Sequence, residues 1–316
     1  MKFALLSVSY AGLFYKGRAL TLEEQIHKAK ALGFDALSIE TKRPVASPID
    51  LDKATRRRIR EVADGEGIAL CAVESMSNFC SPLMEERENN LAMMRMVLEL
   101  ASDLGVDTVK VFAAWPGMIN DEEEIALYAP YEKGNFYSRL SPRDLRRWDQ
   151  AVTGIREVAD QASDLGITLA LQNHAPVVRP GHEDVLAMKQ DIDRANVKLC
   201  LDVPLYYNRQ DDDYVRRSVH ACGKDIILTH YGTWNIIETA EGEIVQEPAP
   251  AYGEIINYEA FFAALHEVGY SGYLVSESCA PLLVGHRIGG VEEVDKAVAR
   301  TMKYMKNILS KIETSK

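Results

Sequence analysis

The sequence predicts a single (β/α)8 barrel over residues 1–316, and two patterns carry that reading. Short apolar runs of strand length alternate with longer helical patterns from one end of the chain to the other. Several of those helices also end in the same kind of junction, Leu32-Gly-Phe-Asp35, Leu104-Gly-Val-Asp107, Leu165-Gly-Ile-Thr168 and Val268-Gly-Tyr-Ser271. A glycine after the last helical turn permits the left-handed conformation that caps the helix and turns the chain back towards the next strand. A doubly wound open sheet is the alternative, but no glycine-rich phosphate loop follows any of the strands.

Taken in order, strands are expected at 3–8, 35–40, 68–73, 106–112, 167–173, 197–202, 225–230 and 272–277. The first helix opens on Thr21-Leu-Glu-Glu24, a capping box in which the threonine hydroxyl and the glutamate carboxylate satisfy each other's backbone amides. Helical patterns follow over 50–66 and 84–104. Ser141-Pro142 places a capping serine before a proline at the first helical position, opening a helix that runs to Leu165. Later helices start near Asp211, Tyr258 and Val291.

Most connections are short, and two are not. The stretch 113–140 after the fourth strand holds Trp115, Tyr128, Tyr131, Phe136 and Tyr137. The stretch 231–257 after the seventh holds Trp234 and Tyr252, with a hairpin expected to turn at Ala240-Glu-Gly242. Loops of that length are usually functional. They read either as insertions packed by their own aromatics or as lids over the barrel mouth, in which Trp115 and Trp234 stack on a ring-shaped substrate.

A net charge of −11 argues against nucleic acid and anionic membrane surfaces as partners. Hydrophobic content of 47% and charged content of 26% are those of an ordinary soluble protein, and no run is apolar for long enough to span a bilayer. The five cysteines show no CxxC spacing, and Cys71 and Cys200 lie inside apolar strands, which suits a reducing, cytoplasmic compartment.

Four consecutive strands end alike. Leu169-Ala-Leu-Gln-Asn-His174, Val197-Lys-Leu-Cys-Leu-Asp202, Asp225-Ile-Ile-Leu-Thr-His230 and Gly272-Tyr-Leu-Val-Ser-Glu277 are apolar runs that stop at an oxygen or nitrogen donor. One such ending is commonplace. Four in series would bring Gln172, Asp202, His230 and Glu277 to one end of the barrel as ligands of a divalent metal. Carboxylates with one imidazole suit manganese first, with magnesium, cobalt or zinc also compatible. Glu74 after the third strand, Lys110 inside the fourth and Glu40 at the end of the second are placed to contact a substrate in the same cavity.

With these residues in place, the chain resembles the sugar phosphate isomerase/epimerase superfamily of xylose-isomerase-like barrels. Its relatives include ketose epimerases, inosose dehydratases, C-glycoside deglycosidases and a DNA-repair endonuclease branch. The resemblance covers nearly the whole chain. It is most specific from Gly253-Glu-Ile-Ile-Asn-Tyr258 to Gly269-Tyr-Ser-Gly-Tyr-Leu-Val-Ser-Glu277. It implies metal ligands at the ends of strands five to eight, the positions of Gln172, Asp202, His230 and Glu277. It also implies proton abstraction next to the carbonyl of a sugar or keto-sugar. The acid/base pair expected here is Glu277 and His174. The endonuclease branch is disfavoured by charge.

Two departures bear on the reaction. Gln172 stands where the sugar epimerases carry a ligating glutamate, and Leu205 stands where many relatives have a substrate-holding histidine. Loss of one carboxylate leaves open a lyase, acting on a 3-keto-C-glycoside or an inosose. A homo-oligomer is expected for the epimerase, and a hetero-oligomer with a small second subunit for a C-glycoside deglycosidase. His174 has an ordinary imidazole pKa near 6.5 if unperturbed, which would suit a group that both takes and returns a proton.

Overall fold

The computed structural model describes residues 1–81, 83–114, 142–175, 177–233, 235–248 and 255–314. Eight parallel strands close a barrel: β1 (Lys2–Leu6), β2 (Ala36–Glu40), β3 (Ala69–Glu74), β4 (Thr108–Val111), β5 (Thr168–Gln172), β6 (Val197–Asp202), β7 (Ile226–Gly232) and β10 (Tyr273–Glu277). Around the barrel their order is β1-β10-β7-β6-β5-β4-β3-β2, so neighbours in sequence are neighbours in space apart from a hairpin of β8 (Ile236–Glu238) and β9 (Ile244–Gln246) inserted before β10. Helices α1 (Leu22–Leu32), α2 (Lys53–Glu66), α3 (Met84–Asp103), α4 (Pro142–Asp164), α5 (Glu183–Ile192), α6 (Asp212–Cys222), α7 (Tyr258–Glu267) and α8 (Val291–Thr314) follow the strands in turn.

The predicted signals act as expected. Thr21 and Glu24 form the capping box of α1, with Thr21 Oγ1 accepting from the Glu24 amide and the Glu24 carboxylate from the Thr21 amide. Gly33 ends that helix at φ +81°, a conformation costly for any residue with a Cβ. The hairpin also forms. β8 (Ile236–Glu238) pairs antiparallel with β9 (Ile244–Gln246), and the turn closes with the Thr239 amide on the Glu243 carbonyl at 2.8 Å.

Two departures from the sequence reading affect whole features rather than the placing of an element's ends by a residue or three. The first strand stops at Leu6 and gives way to a 3-10 turn over Ser7–Tyr10, so Val8 still lines the lumen but outside the sheet. Helix α5 has no counterpart in the expected helices. Its N-cap residue, His182, is itself in a helical conformation and makes no side-chain capping bond, so no start signal marks it in the sequence.

Two layers of core result. Between strands and helices lies a large apolar cluster that includes Leu37, Val109, Leu171 and Phe261. The lumen itself is filled by small or slender side chains, among them Ala36, Ala72, Ala170, Cys200, Leu228 and Val275. A strand alternates its side chains between faces with period two. Two residues beyond each of these lumen positions, again facing inward, stand Ser38, Glu74, Gln172, Asp202, His230 and Glu277. Apolar packing below and polar groups above are thus consecutive steps of one alternation. All five cysteines are free thiols, and Cys71 and Cys200 are buried in the lumen. No helix among the described residues is long and apolar enough to cross a membrane.

Candidate metal centre at the barrel mouth

Strand register brings the predicted ligands together. Asp202 pairs with His230 across β6 and β7, and Val275, two residues before Glu277, pairs with His230 across β10. One ligand atom each from Asp202, His230 and Glu277 lies within 4.8 Å of the others. His230 Nδ1 faces Asp202 Oδ2 at 3.4 Å and Glu277 Oε2 at 3.3 Å. Gln172 completes the group, its Nε2 donating to Asp202 Oδ2 at 2.8 Å and lying 3.3 Å from His230 Nδ1.

His230 is oriented from the opposite wall. Its Nε2 reaches through the lumen to Glu74 Oε1 at 3.2 Å. In the neutral ring, a proton on Nε2 directed at that carboxylate leaves the Nδ1 lone pair towards Asp202 and Glu277, and a metal bound there would displace any proton on Nδ1. Glu74 is itself held by the Ser38 hydroxyl at 2.5 Å and by Lys110 Nζ at 3.3 Å from its other oxygen. Lys110 also lies 3.7 Å from the centre of the Phe112 ring, a cation–π contact. Glu74 and Lys110, expected as substrate contacts, do line the cavity, but Glu74 spends its carboxylate on His230, Ser38 and Lys110.

The electrostatics follow from burial and from these pairs. Burial opposes ionisation of Glu74, but His230 and Lys110 outweigh it and bring the carboxyl down to about 2. Burial likewise opposes charge on Glu277, and its bond to the His230 ring overcomes this and holds the carboxyl below its usual range. At Asp202 burial prevails and the pKa is raised. His230 is driven the other way: burial favours the neutral ring, but Cys200, Glu74 and Asp202 together hold it well above its ordinary value.

The donor set fits a divalent cation. Asp202 Oδ1 and Gln172 Oε1 are buried without a hydrogen-bond partner, a costly condition that a cation between the carboxylates would relieve. Two carboxylates with one imidazole make a set that a hard or borderline divalent ion favours. Gln172 presents its amide nitrogen to Asp202 and His230, so ligation through its oxygen requires a half-turn of the amide. Exchanging Glu74 for glutamine keeps the shape but removes the charge that orients His230. Glu74→Gln is expected to weaken metal binding about tenfold or more, measured by competition with a metallochromic chelator.

In the sequence Asn173 stands out only as the neighbour of His174. The structure shows it buried, with Oδ1 accepting from the Asp202 amide at 2.7 Å and Nδ2 donating to the Asp202 carbonyl at 3.2 Å. It holds the backbone of a ligand residue from the next strand. His174 lines the same cavity as Gln172, packs edge-on against Phe112 at 4.9 Å, and places Nδ1 2.6 Å from the Ala175 carbonyl. Its expected pKa near 6.5 is not what the site provides: burial drives it to about 4, against the bond to Ala175, so the ring is neutral at neutral pH. The cavity holds about 130 Å³, and Leu205 lies in its wall. Trp115 and Trp234, with Tyr128, Tyr131, Phe136, Tyr137 and Tyr252, lie outside the described residues.

The profile of the xylose isomerase-like TIM barrels matches residues 26–308. The chain belongs to that family. Among curated proteins it is similar to D-psicose 3-epimerase of Agrobacterium fabrum, 26% identical over 263 residues, which are 80% of this chain and 77% of that protein. Among solved structures it superposes on L-ribulose 3-epimerase with a TM-score of 0.70 at 16% identity, over 99% of this chain and 96% of that one. A 3-keto-D-glucoside 4-epimerase from E. coli superposes with a TM-score of 0.67 at 15% identity, over 97% and 99%. At those identities the two structures establish the shared barrel.

Proposed function

We propose that this xylose isomerase-like barrel is a divalent-metal-dependent sugar isomerase or epimerase, which removes the proton next to the carbonyl of a ketose or keto-sugar. The observation that carries the reading is the convergence of Asp202, His230 and Glu277 at the barrel mouth beside two unpartnered buried oxygens. The similar proteins named above, all sugar epimerases, agree with it. Asp202, His230 and Glu277 hold the ion, with Gln172 as fourth ligand after its amide turns, and manganese is the first choice. A divalent ion held there would supply Lewis acidity to the substrate carbonyl, which would make the adjacent C–H acidic.

Proton exchange at that carbon needs one group to remove the proton and one to return it. Glu277, held ionised beside His230, is the base. His174 keeps its proton on Nδ1 against Ala175, leaving Nε2 to exchange the substrate's proton. Burial keeps the ring neutral at neutral pH, so Nε2 must first take a proton from solvent before it can return one to the substrate carbon, while Glu277 keeps the proton it removed until it releases it to solvent. Lys110 supplies a buried ammonium in the cavity wall.

A lyase is the second reading. It is favoured by neutral Gln172, which leaves Glu277 without the carboxylate partner of the resembling epimerases, and elimination needs proton removal on only one face. The small second subunit belongs to that reading. Both are tested by incubating manganese-loaded protein in D2O with D-psicose and with 3-keto-glucosides. Deuterium at the carbon next to the carbonyl, with the skeleton intact, is expected. Release of water or an aglycone would replace the epimerase reading by the lyase, and no exchange in any of these sugars would overturn both.

A further inference from the structure

We propose that Glu40 and Lys42 form a second recognition subsite, which grips a pair of hydroxyls at the end of the sugar remote from the metal face. This rests on the sugar-converting reading given above and adds to it the part of the substrate that decides specificity. The strand order places β2 directly opposite β6, with three strands between them on either side, so Glu40 faces the cavity from the side opposite Asp202.

The pair is built rather than incidental. Glu40 and Lys42 are two residues apart, both line the cavity, and their side chains meet at 2.5 Å. The Glu40 side chain is 8% exposed and that of Lys42 27%, so the pair sits at the rim with its acid inward. The backbone beneath it is pinned on both sides: the Glu40 amide donates to Ser7 Oγ at 2.8 Å, and Thr41 donates its amide and its hydroxyl to the Glu74 carbonyl at 2.8 and 3.0 Å.

A buried ion pair is costly to desolvate and weak evidence of a stabilising role. Its chemistry suits a polyol end. A carboxylate accepts from two hydroxyls while the ammonium donates to their oxygens, and such charge-assisted bonds are stronger than neutral ones. Phe14 and Val8, also in the cavity wall, offer an apolar surface to the C–H side of the chain. The other polar groups of this wall are engaged with the metal centre, Glu74 through His230 and Lys110 through Glu74. The substrate class that follows is a sugar long enough to reach from the ion to β2, a hexulose rather than a tetrulose.

The test compares D-psicose with 6-deoxy-D-psicose and erythrulose, in manganese-loaded wild type, Glu40→Gln and Lys42→Met. Wild type is expected to favour D-psicose over the truncated sugars by about 10- to 100-fold in kcat/KM, the loss that follows from removing charge-assisted bonds. Either variant should collapse that ratio towards one, mainly through a higher KM for D-psicose, with bound manganese and the thermal midpoint unchanged. Lys42→Met, at a half-exposed rim position, keeps the test valid if Glu40→Gln fails to fold. Variants that retain the wild-type ratio would overturn the subsite while leaving the sugar-converting reading intact. A wild type that converts none of these sugars overturns both.

Discussion

His230→Ala protein is expected to emerge from purification and dialysis with its manganese gone, while wild type retains it. The imidazole supplies one of three converging ligand atoms and stands between Asp202 and Glu277 at 3.4 and 3.3 Å. Removing an outer partner of a ligand typically costs 10- to 100-fold in affinity, so loss of the ligand itself should exceed about 100-fold. The substitution also leaves Glu74 without its partner across the lumen, with only Ser38 and Lys110 beside it, so thermal unfolding should be followed beside metal analysis. A folded His230→Ala protein with undiminished metal content would place the ion elsewhere and remove the basis for the proposed chemistry. Asp202→Asn, which keeps the shape of the ligand and lowers its charge, should fall between the two.

His174→Asn should convert the enzyme into a protein that holds metal and substrate but turns over at least about 100-fold more slowly, the usual scale of a general acid or base. Asparagine preserves a donor for the Ala175 carbonyl, which His174 meets at 2.6 Å, and removes the group that carries the proton. Gln172→Glu in the same background should not restore the rate, because a carboxylate at position 172 joins the metal centre and does not occupy the place of the imidazole. Metal content, KM and the rate of solvent-deuterium uptake are measured together. A His174→Asn enzyme as fast as wild type would reduce His174 to a packing partner of Phe112.

The sequence alone determines the barrel and the four strand ends, because both rest on local rules. Each strand is a buried apolar run, and the period-two alternation that puts Cys200 or Leu228 in the lumen must put Asp202 or His230 there two residues later. The capping box at Thr21, the left-handed glycine at 33 and the hairpin turn at Gly242 are equally local, decided by a few adjacent residues. Helix α5 is not legible in the sequence because its start carries no such signal.

Only the closed barrel decides the rest, since it joins residues from strands that share no local pattern. The contact of Glu74 with His230 spans 156 positions of sequence and exists because β3 and β7 face each other across the lumen. Pairing of β5 with β6 sets the Gln172 amide nitrogen, rather than its oxygen, towards Asp202. Burial behind Phe112 moves His174 from an imidazole poised near neutrality to one of low basicity. A side chain's type is written in the chain, but its charge depends on the water excluded around it and on the groups brought opposite, and both arrive only when the eighth strand meets the first.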